Sequence, residues 1–322
     1  MNYIDLKSII LEKIKKNGGW VNTHAHLDRA FSLSRNNFNY INATLQEKWR
    51  LYDFLKREST VNDIYDRMAY ALEKMIDQGV QAVGTYIDVD EVIKDKSIKA
   101  AIKLKENFQK TIKIKYMNQT HNGVINKESY KWFKIGAEFV DIVGGLPGAD
   151  KNQIEKHIEI VLQTAKDLKK MVHIHVDQNN SDKEKETELL AKKTLGAKME
   201  KKVVAIHSIS LTAHKKDYRQ KIYKLMKKAG INVIACPTAW IDCRRNENLS
   251  PTHNSMTPVD EMIPEGIVVA LGTDNIIDIY KPFTDGDMWT ELRFLLESCH
   301  YYEIDELVKI ATVNGLKILG MK

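Results

Sequence analysis

The sequence predicts a (β/α)8 barrel. Short apolar, β-branched runs alternate with stretches of helical periodicity along the chain, eight such runs can be counted, and histidines and acids follow several of them directly. Runs of this composition suit strands buried on both faces, as in a parallel sheet. An α/β barrel carries its reactive groups at the C-terminal ends of its strands, and 322 residues suit one such unit.

In order along the chain, Met1 to Lys16 spreads Asp5, Lys7, Glu12, Lys13, Lys15 and Lys16 among apolar residues. It predicts a short amphipathic helix and lacks the apolar core of a signal peptide. The first strand runs through Val21-Asn22-Thr23-His24-Ala25-His26 into Leu27-Asp28-Arg29. A polar, aromatic loop from Phe31 to Tyr40 follows, then helical periodicity from Leu45 to Gln78, which implies a long insertion before the second strand. Strands are expected at 81–87, 112–117, 140–143, 172–176, 203–206, 231–235 and 267–271. Between and after them, helices are expected at 91–110, 127–135, 151–170, 184–199, 214–229, 288–298 and 303–318. Gly230 stands where a helix C-terminus favours glycine. Without a linker, an internal repeat or a low-complexity segment, residues 1–322 are expected to form a single domain.

Composition narrows the function. Hydrophobic residues at 43% and charged residues at 29% fit a globular chain. The net charge of +6 comes from scattered lysines without a compact basic block, so a nucleic-acid partner is not expected. No run of 18 apolar residues suggests a membrane span. Cys236, Cys243 and Cys299 form no CxxC pair and cannot all pair with one another, which fits a reducing cytoplasm. The expected partner is a small-molecule substrate, and assembly into a homo-oligomer is compatible with the sequence.

The chemistry is concentrated at the strand ends. His24 and His26 are two residues apart and share one face of a strand end; alone, such a pair reads equally as an exposed strand edge. His175 ends the fifth expected strand, His207 follows the sixth, and Asp274 follows the eighth in Leu271-Gly272-Thr273-Asp274-Asn275. Five ligands or bases therefore converge on one rim. Neutral imidazoles with one carboxylate give a divalent ion an open site, where the pKa of a water falls from about 16 toward about 7. The carboxylate can take a proton and a further histidine can stabilise an oxyanion. Hydrolysis at a carbon bearing nitrogen suits such a set.

These residues resemble those of the amidohydrolase superfamily, and in detail its cytosine-deaminase-like branch. The likeness includes His24-Ala25-His26-Leu27-Asp28, Val143-Gly144-Gly145-Leu146-Pro147, His175-Val176-Asp177, Ala229-Gly230-Ile231-Asn232-Val233, and Thr273-Asp274-Asn275 through Tyr280-Lys281-Pro282. The resemblance implies that His24, His26, His175 and Asp274 bind one divalent ion, Zn²⁺ or Fe²⁺, with His207 beside the attacking water and the substrate. Val140 to Pro147 contains no lysine, so the carboxylated-lysine bridge of two-metal relatives is not expected.

Two substitutions separate the chain from the deaminases it resembles. Gln178 takes the catalytic position of a proton-shuttling glutamate, and Asn275 that of a second strand-eight carboxylate that contacts the substrate ring. Only 23 residues precede His24 and 48 follow Asp274, so the small β-sandwich of many relatives is not expected. Substrate contacts are assigned to Arg29, Gln119, Asn275 and Tyr280, with His121 as the alternative to Gln119. His173 is expected to be a satisfied core residue and His214 an ordinary surface one. The expected function is metal-dependent hydrolysis of a C–N bond in a small, cyclic nitrogenous compound. Its rivals are true deamination and a non-catalytic metal- or ligand-binding barrel.

Overall fold

The computed structural model describes residues 4–119, 121–241 and 256–321. Its strands are β1 (Trp20–Ala25), β2 (Val80–Asp88), β3 (Lys113–Gln119), β4 (Ile142–Gly145), β5 (Met171–Val176), β6 (Val203–His207), β7 (Asn232–Ala235) and β8 (Val269–Leu271). They pair in sequence order and every pairing is parallel. A parallel bridge between Ala25 and Asp274 brings the last strand back to the first. The molecule is the (β/α)8 barrel that the alternating pattern predicts. No helix among the described residues is long and apolar enough to cross a membrane.

The surrounding helices are α1 (Leu6–Lys16), α2 (Leu45–Glu58), α3 (Val61–Asp77), α4 (Lys96–Phe108), α5 (Lys127–Phe139), α6 (Ile154–Asp167), α7 (Glu186–Ala197), α8 (Lys216–Ala229), α9 (Val259–Met262), α10 (Met288–Ser298), α11 (Ile304–Ala311) and α12 (Val313–Ile318). Periodicity alone joins 45–78 into one helix, and the structure breaks it in two. At Thr60, Oγ1 accepts from Asp63 N–H while the Asp63 carboxylate accepts from Thr60 N–H, a reciprocal cap that starts α3. The expected helix at 303–318 is likewise interrupted at Thr312, whose hydroxyl donates to the Val308 carbonyl. The expected helix at 91–110 begins later, at Lys96, because Asp90 accepts from Val92 and Ile93 N–H and holds a turn instead.

The main apolar core lies between the strands and the helices. A second cluster fills the barrel itself with Val21, Ala82, Tyr86, Met117, Ile142, Val204, Ile206, Ile234 and Ala270, joined by Ile318 and Leu319 at the end of α12. A third, smaller cluster joins α2 to the loop after β8 through Tyr52, Ile279 and Tyr280. Cys236 and Cys299 are buried free thiols; Cys243 lies outside the described residues.

Two glycines allow the strands to approach closely. A Cβ at Gly272 would stand 2.7 Å from the His24 Cβ, where β8 closes onto β1. A Cβ at Gly144 would stand 2.0 Å from the Asn118 carbonyl oxygen and 2.6 Å from the Tyr86 ring. Gly144→Ala should therefore cost about 1–3 kcal/mol, the range for overpacking a tight core. Urea denaturation checks this; an unchanged midpoint would contradict the packing of Tyr86 under β4.

Candidate active site

The closing contact between β1 and β8 builds the centre of the site. The His24 carbonyl accepts from both Thr273 and Asp274 N–H, at 3.0 and 2.9 Å. This brings the Asp274 carboxylate to 3.4 Å from His24 Nε2 and 3.2 Å from His26 Nε2. From the neighbouring strands, the His175 ring lies 4.9 Å from that of His24, and the His207 ring 5.5 Å from that of His175, centre to centre. Two triads with ligand atoms within 4.8 Å of one another share His24: His24, His26 and Asp274, and His24, His175 and His207. All five residues are buried.

Backbone conformation aims these groups. Asp177, His207 and Asp274, at the ends of β5, β6 and β8, have φ of 52°, 74° and 61°, a left-handed region that costs a non-glycine residue about 1–3 kcal/mol. Each is held by its surroundings: Ile209 N–H donates to the Asp177 carbonyl, the Thr257 hydroxyl to the His207 carbonyl, and Asp274 N–H to His24. Tyr86 forms the floor. Its ring lies 4.7 Å from that of His175 and 5.2 Å from that of His24, and its hydroxyl donates to the His173 carbonyl at 2.5 Å.

Burial works against a proton on three of the imidazoles, His26, His175 and His207. Burial holds His26 and His175 well below the usual histidine range, with Arg29 adding to the effect at His26 and His24 at His175. Burial pushes His207 down to about 4 against the opposing pull of Asp274. For Asp274, burial alone would raise the pKa, but the imidazoles of His24 and His26 outweigh it and hold the carboxyl well below the carboxylate range. Both ring nitrogens of His24 are buried without a hydrogen-bond partner. Such a group ordinarily costs about 1–3 kcal/mol, and a cation would satisfy it. Imidazoles around an ionised carboxylate are a donor set for a divalent metal, so the residues fit such an ion.

The remaining residues singled out from sequence are distributed around this centre. Arg29 is 2% exposed: Nη2 donates to Asp88 at 3.2 Å and lies 3.0 Å from His26 Nδ1, and Nη1 lies 3.3 Å from His121 Nε2. Its guanidinium lies against the neighbouring rings of Tyr52 and Tyr280. Gln119 is the last residue of β3 and contacts His121, and its Oε1 has no partner. Asn275 donates to Asp278, which also accepts from Tyr280 and Lys281 N–H, so the amide braces the loop after β8. The Tyr280 hydroxyl is buried and unpartnered. Gln178 lines a cleft of about 780 Å³ with Leu45 and Trp49 of α2, Gly148 after β4, and Leu189 of α7.

His173 is a core residue, its Nε2 3.0 Å from the Ile318 carbonyl. His214 departs from the surface position expected of it. It is buried, its Nε2 lies 2.7 Å from the Glu184 carbonyl and its ring stacks on Tyr218, because the β5 loop folds over the start of α8. The sequence reading also missed Lys56, Asp88 and Asp90. The pair Asp88-Val89-Asp90 at the end of β2 was a visible signal of acids at a strand terminus; Lys56 carried none, since only the seating of α2 brings it there.

Barrel, rim and donor set together define a metal-dependent hydrolase. The amidohydrolase family model matches residues 18–322, and the chain belongs to that family. An uncharacterized protein of Haemophilus influenzae is 49% identical over 263 residues, spanning 80% of this chain and 95% of its own. N-isopropylammelide isopropyl amidohydrolase of Pseudomonas sp. is 22% identical over 313 residues, 94% of this chain and 74% of its own. The structure of Klebsiella pneumoniae 5-methylcytosine deaminase with 5-fluorocytosine superposes with a TM-score of 0.86 at 24% identity, covering 94% of this chain and 74% of that one. The protein is thus an amidohydrolase, an enzyme of metal-dependent C–N hydrolysis on small nitrogenous compounds, and it shares its fold with the deaminase.

A pH test follows from His173, whose pKa burial drives down to about 3 although the Ile318 carbonyl pulls the other way. The unfolded chain binds this proton near pH 6.5 and the folded one only near 3, so stability present above pH 6.5 is lost as pH falls through that window. Denaturation at a series of pH values should show wild type losing up to about 1.4 kcal/mol per pH unit more than His173→Gln. Equal slopes would mean that the imidazole protonates in place.

Proposed function

We propose that the chain uses one divalent ion, Zn²⁺ or Fe²⁺, held by His24, His26, His175 and Asp274, to hydrolyse a C–N bond of a small cyclic compound. The observation that carries this is the convergence of an ionised Asp274 and neutral imidazoles around His24, whose two buried ring nitrogens have no hydrogen-bond partner among the described residues. A divalent ion there supplies a hydroxide nucleophile at neutral pH. Asp274 lies against both β1 imidazoles and has the low proton affinity of a base that passes a proton on rather than keeping it. His207, neutral and facing His24 and His175, is suited to polarise the carbonyl-like carbon and to stabilise the oxyanion. Gln119 and Tyr280, with buried unpartnered oxygens, are suited to hold the ring. The span 1–322 is read as one barrel unit acting on a small molecule in the cytoplasm, with no nucleic-acid partner.

Metal analysis should give about one ion per chain, and His175→Ala should lose it. Cyclic amides, aminopyrimidines and N-alkylated triazines form the assay panel for metal-loaded protein. On whichever is turned over, Asp274→Asn should lower kcat by about 10²–10⁴ without unfolding the protein. Near-normal turnover by that variant would remove Asp274 from the chemistry, and two ions per chain would contradict the ligand set.

Gln178 bears on the choice of substrate. An amide offers a fixed dipole where the related deaminases carry a proton shuttle to the departing amine, which favours a substrate whose leaving nitrogen is protonated by Asp274 or His207. Aminopyrimidines should be poor substrates, and Gln178→Glu should raise their turnover by about an order of magnitude or more. Efficient deamination by wild type would sink this reading.

A further inference from the structure

The insertion between β1 and β2 delivers a buried ammonium that the chemistry above does not use. Lys56, on α2, is 1% exposed. Its Nζ donates to Asp90 Oδ2 at 2.5 Å and stands 3.6 Å from Asp53 and 3.7 Å from Asp88. Burial would by itself ease off the proton, but Asp88 and Asp90 outweigh it and hold the amine well above its ordinary range, so it remains a donor with no lone pair. Its other neighbour is His121 Nδ1, at 3.2 Å.

The consequence runs through the ring. A neutral imidazole has one accepting nitrogen, and an ammonium at Nδ1 makes that the acceptor and leaves the proton on Nε2. Two groups face Nε2 at 3.3 Å, Arg29 Nη1 and the Gln119 amide. Arg29 Nη1 can only donate and so makes no hydrogen bond to an Nε2–H; the guanidinium is held instead by Asp88 through Nη2. Gln119 can reverse, because its amide oxygen and nitrogen are nearly equal in size. Reversed, Oε1 accepts from His121 Nε2–H, and the NH₂ group takes the direction in which the amide oxygen meets no protein group.

We propose that Lys56 is a positioning residue for the substrate pocket: donation to Nδ1 fixes His121 as the Nε2–H tautomer, which turns the Gln119 NH₂ toward the substrate. This rests on the reading of Gln119 as a substrate contact, and it specifies that contact: the bound ring presents an acceptor there, a carbonyl oxygen or an unprotonated ring nitrogen.

The tautomer can be read without turnover, so failure of the substrate panel leaves this test standing. In ¹⁵N-histidine-labelled protein, with the signal assigned through His121→Asn, His121 should carry its proton on Nε2 between about pH 6 and 8. In Lys56→Met the ammonium is gone and Asp88 Oδ1, 3.5 Å from Nδ1, becomes the available acceptor. The balance should then shift toward Nδ1–H by about tenfold or more, as expected for a lost hydrogen bond to a charged group. Lys56→Arg keeps a donor and should restore the Nε2–H form. A wild-type ring protonated on Nδ1 overturns the proposal, and that measurement stands even if Lys56→Met does not fold. A folded Lys56→Met with an unchanged tautomer overturns it as well.

Discussion

The site depends on one backbone contact, the acceptance of two N–H groups from the β8 turn by the carbonyl of His24. It closes the barrel and in the same step sets a carboxylate against two imidazoles. A helix or loop could carry the same side chains, but neither would hold Asp274 in a left-handed conformation between two fixed strands. The strain at Asp177, His207 and Asp274 is spread over three strand ends and offset by the sheet around them. Gly272 is part of the same contact, since any side chain there would strike His24.

Tyr86 and Gly144 shape the part of the rim below β4. The strand that would carry a bridging lysine ends in two glycines, and the tyrosine ring occupies the space beside them under His24 and His175. With no side chain at the last two positions of β4, the histidines and the aspartate that meet at the rim come from β1, β5, β6 and the β8 turn. The tyrosine also fixes β5 by donating to the His173 carbonyl, so the histidine that faces the site and the one that faces the core are set by one residue.

The buried charges around Arg29 and Lys56 are of another kind. Paired ions inside a protein contribute little net stability, because desolvation offsets most of their attraction. Their value here is orientation. Arg29 links Asp88 to the outer face of His26, while Lys56 links Asp90 to His121, so buried charges brace the second turn of the rim from two sides. Glu291, raised by burial to about 7, plays a comparable part on the opposite side. It accepts from the Thr238 backbone and hydroxyl while Lys281 Nζ donates to Thr238 and to the Thr273 carbonyl beside Asp274.

By itself the sequence determined the barrel, because strand burial on both faces and helical periodicity are local properties written into every ten residues. It also determined which histidines and which aspartate meet, because a barrel with strands in sequence order sends every strand end to the same rim. The partner of each side chain was decided only in the tertiary structure. Arg29 reads as a substrate contact in sequence, and in the structure its guanidinium meets Asp88 and His26; His214 reads as a surface residue and is covered by the β5 loop. Lys56 has no local signal at all, since its contacts lie 34 and 65 residues away and depend on where α2 settles over the barrel. Periodicity records which face of an element is buried. The groups that meet on that face are fixed by packing between elements, which no single stretch of chain encodes.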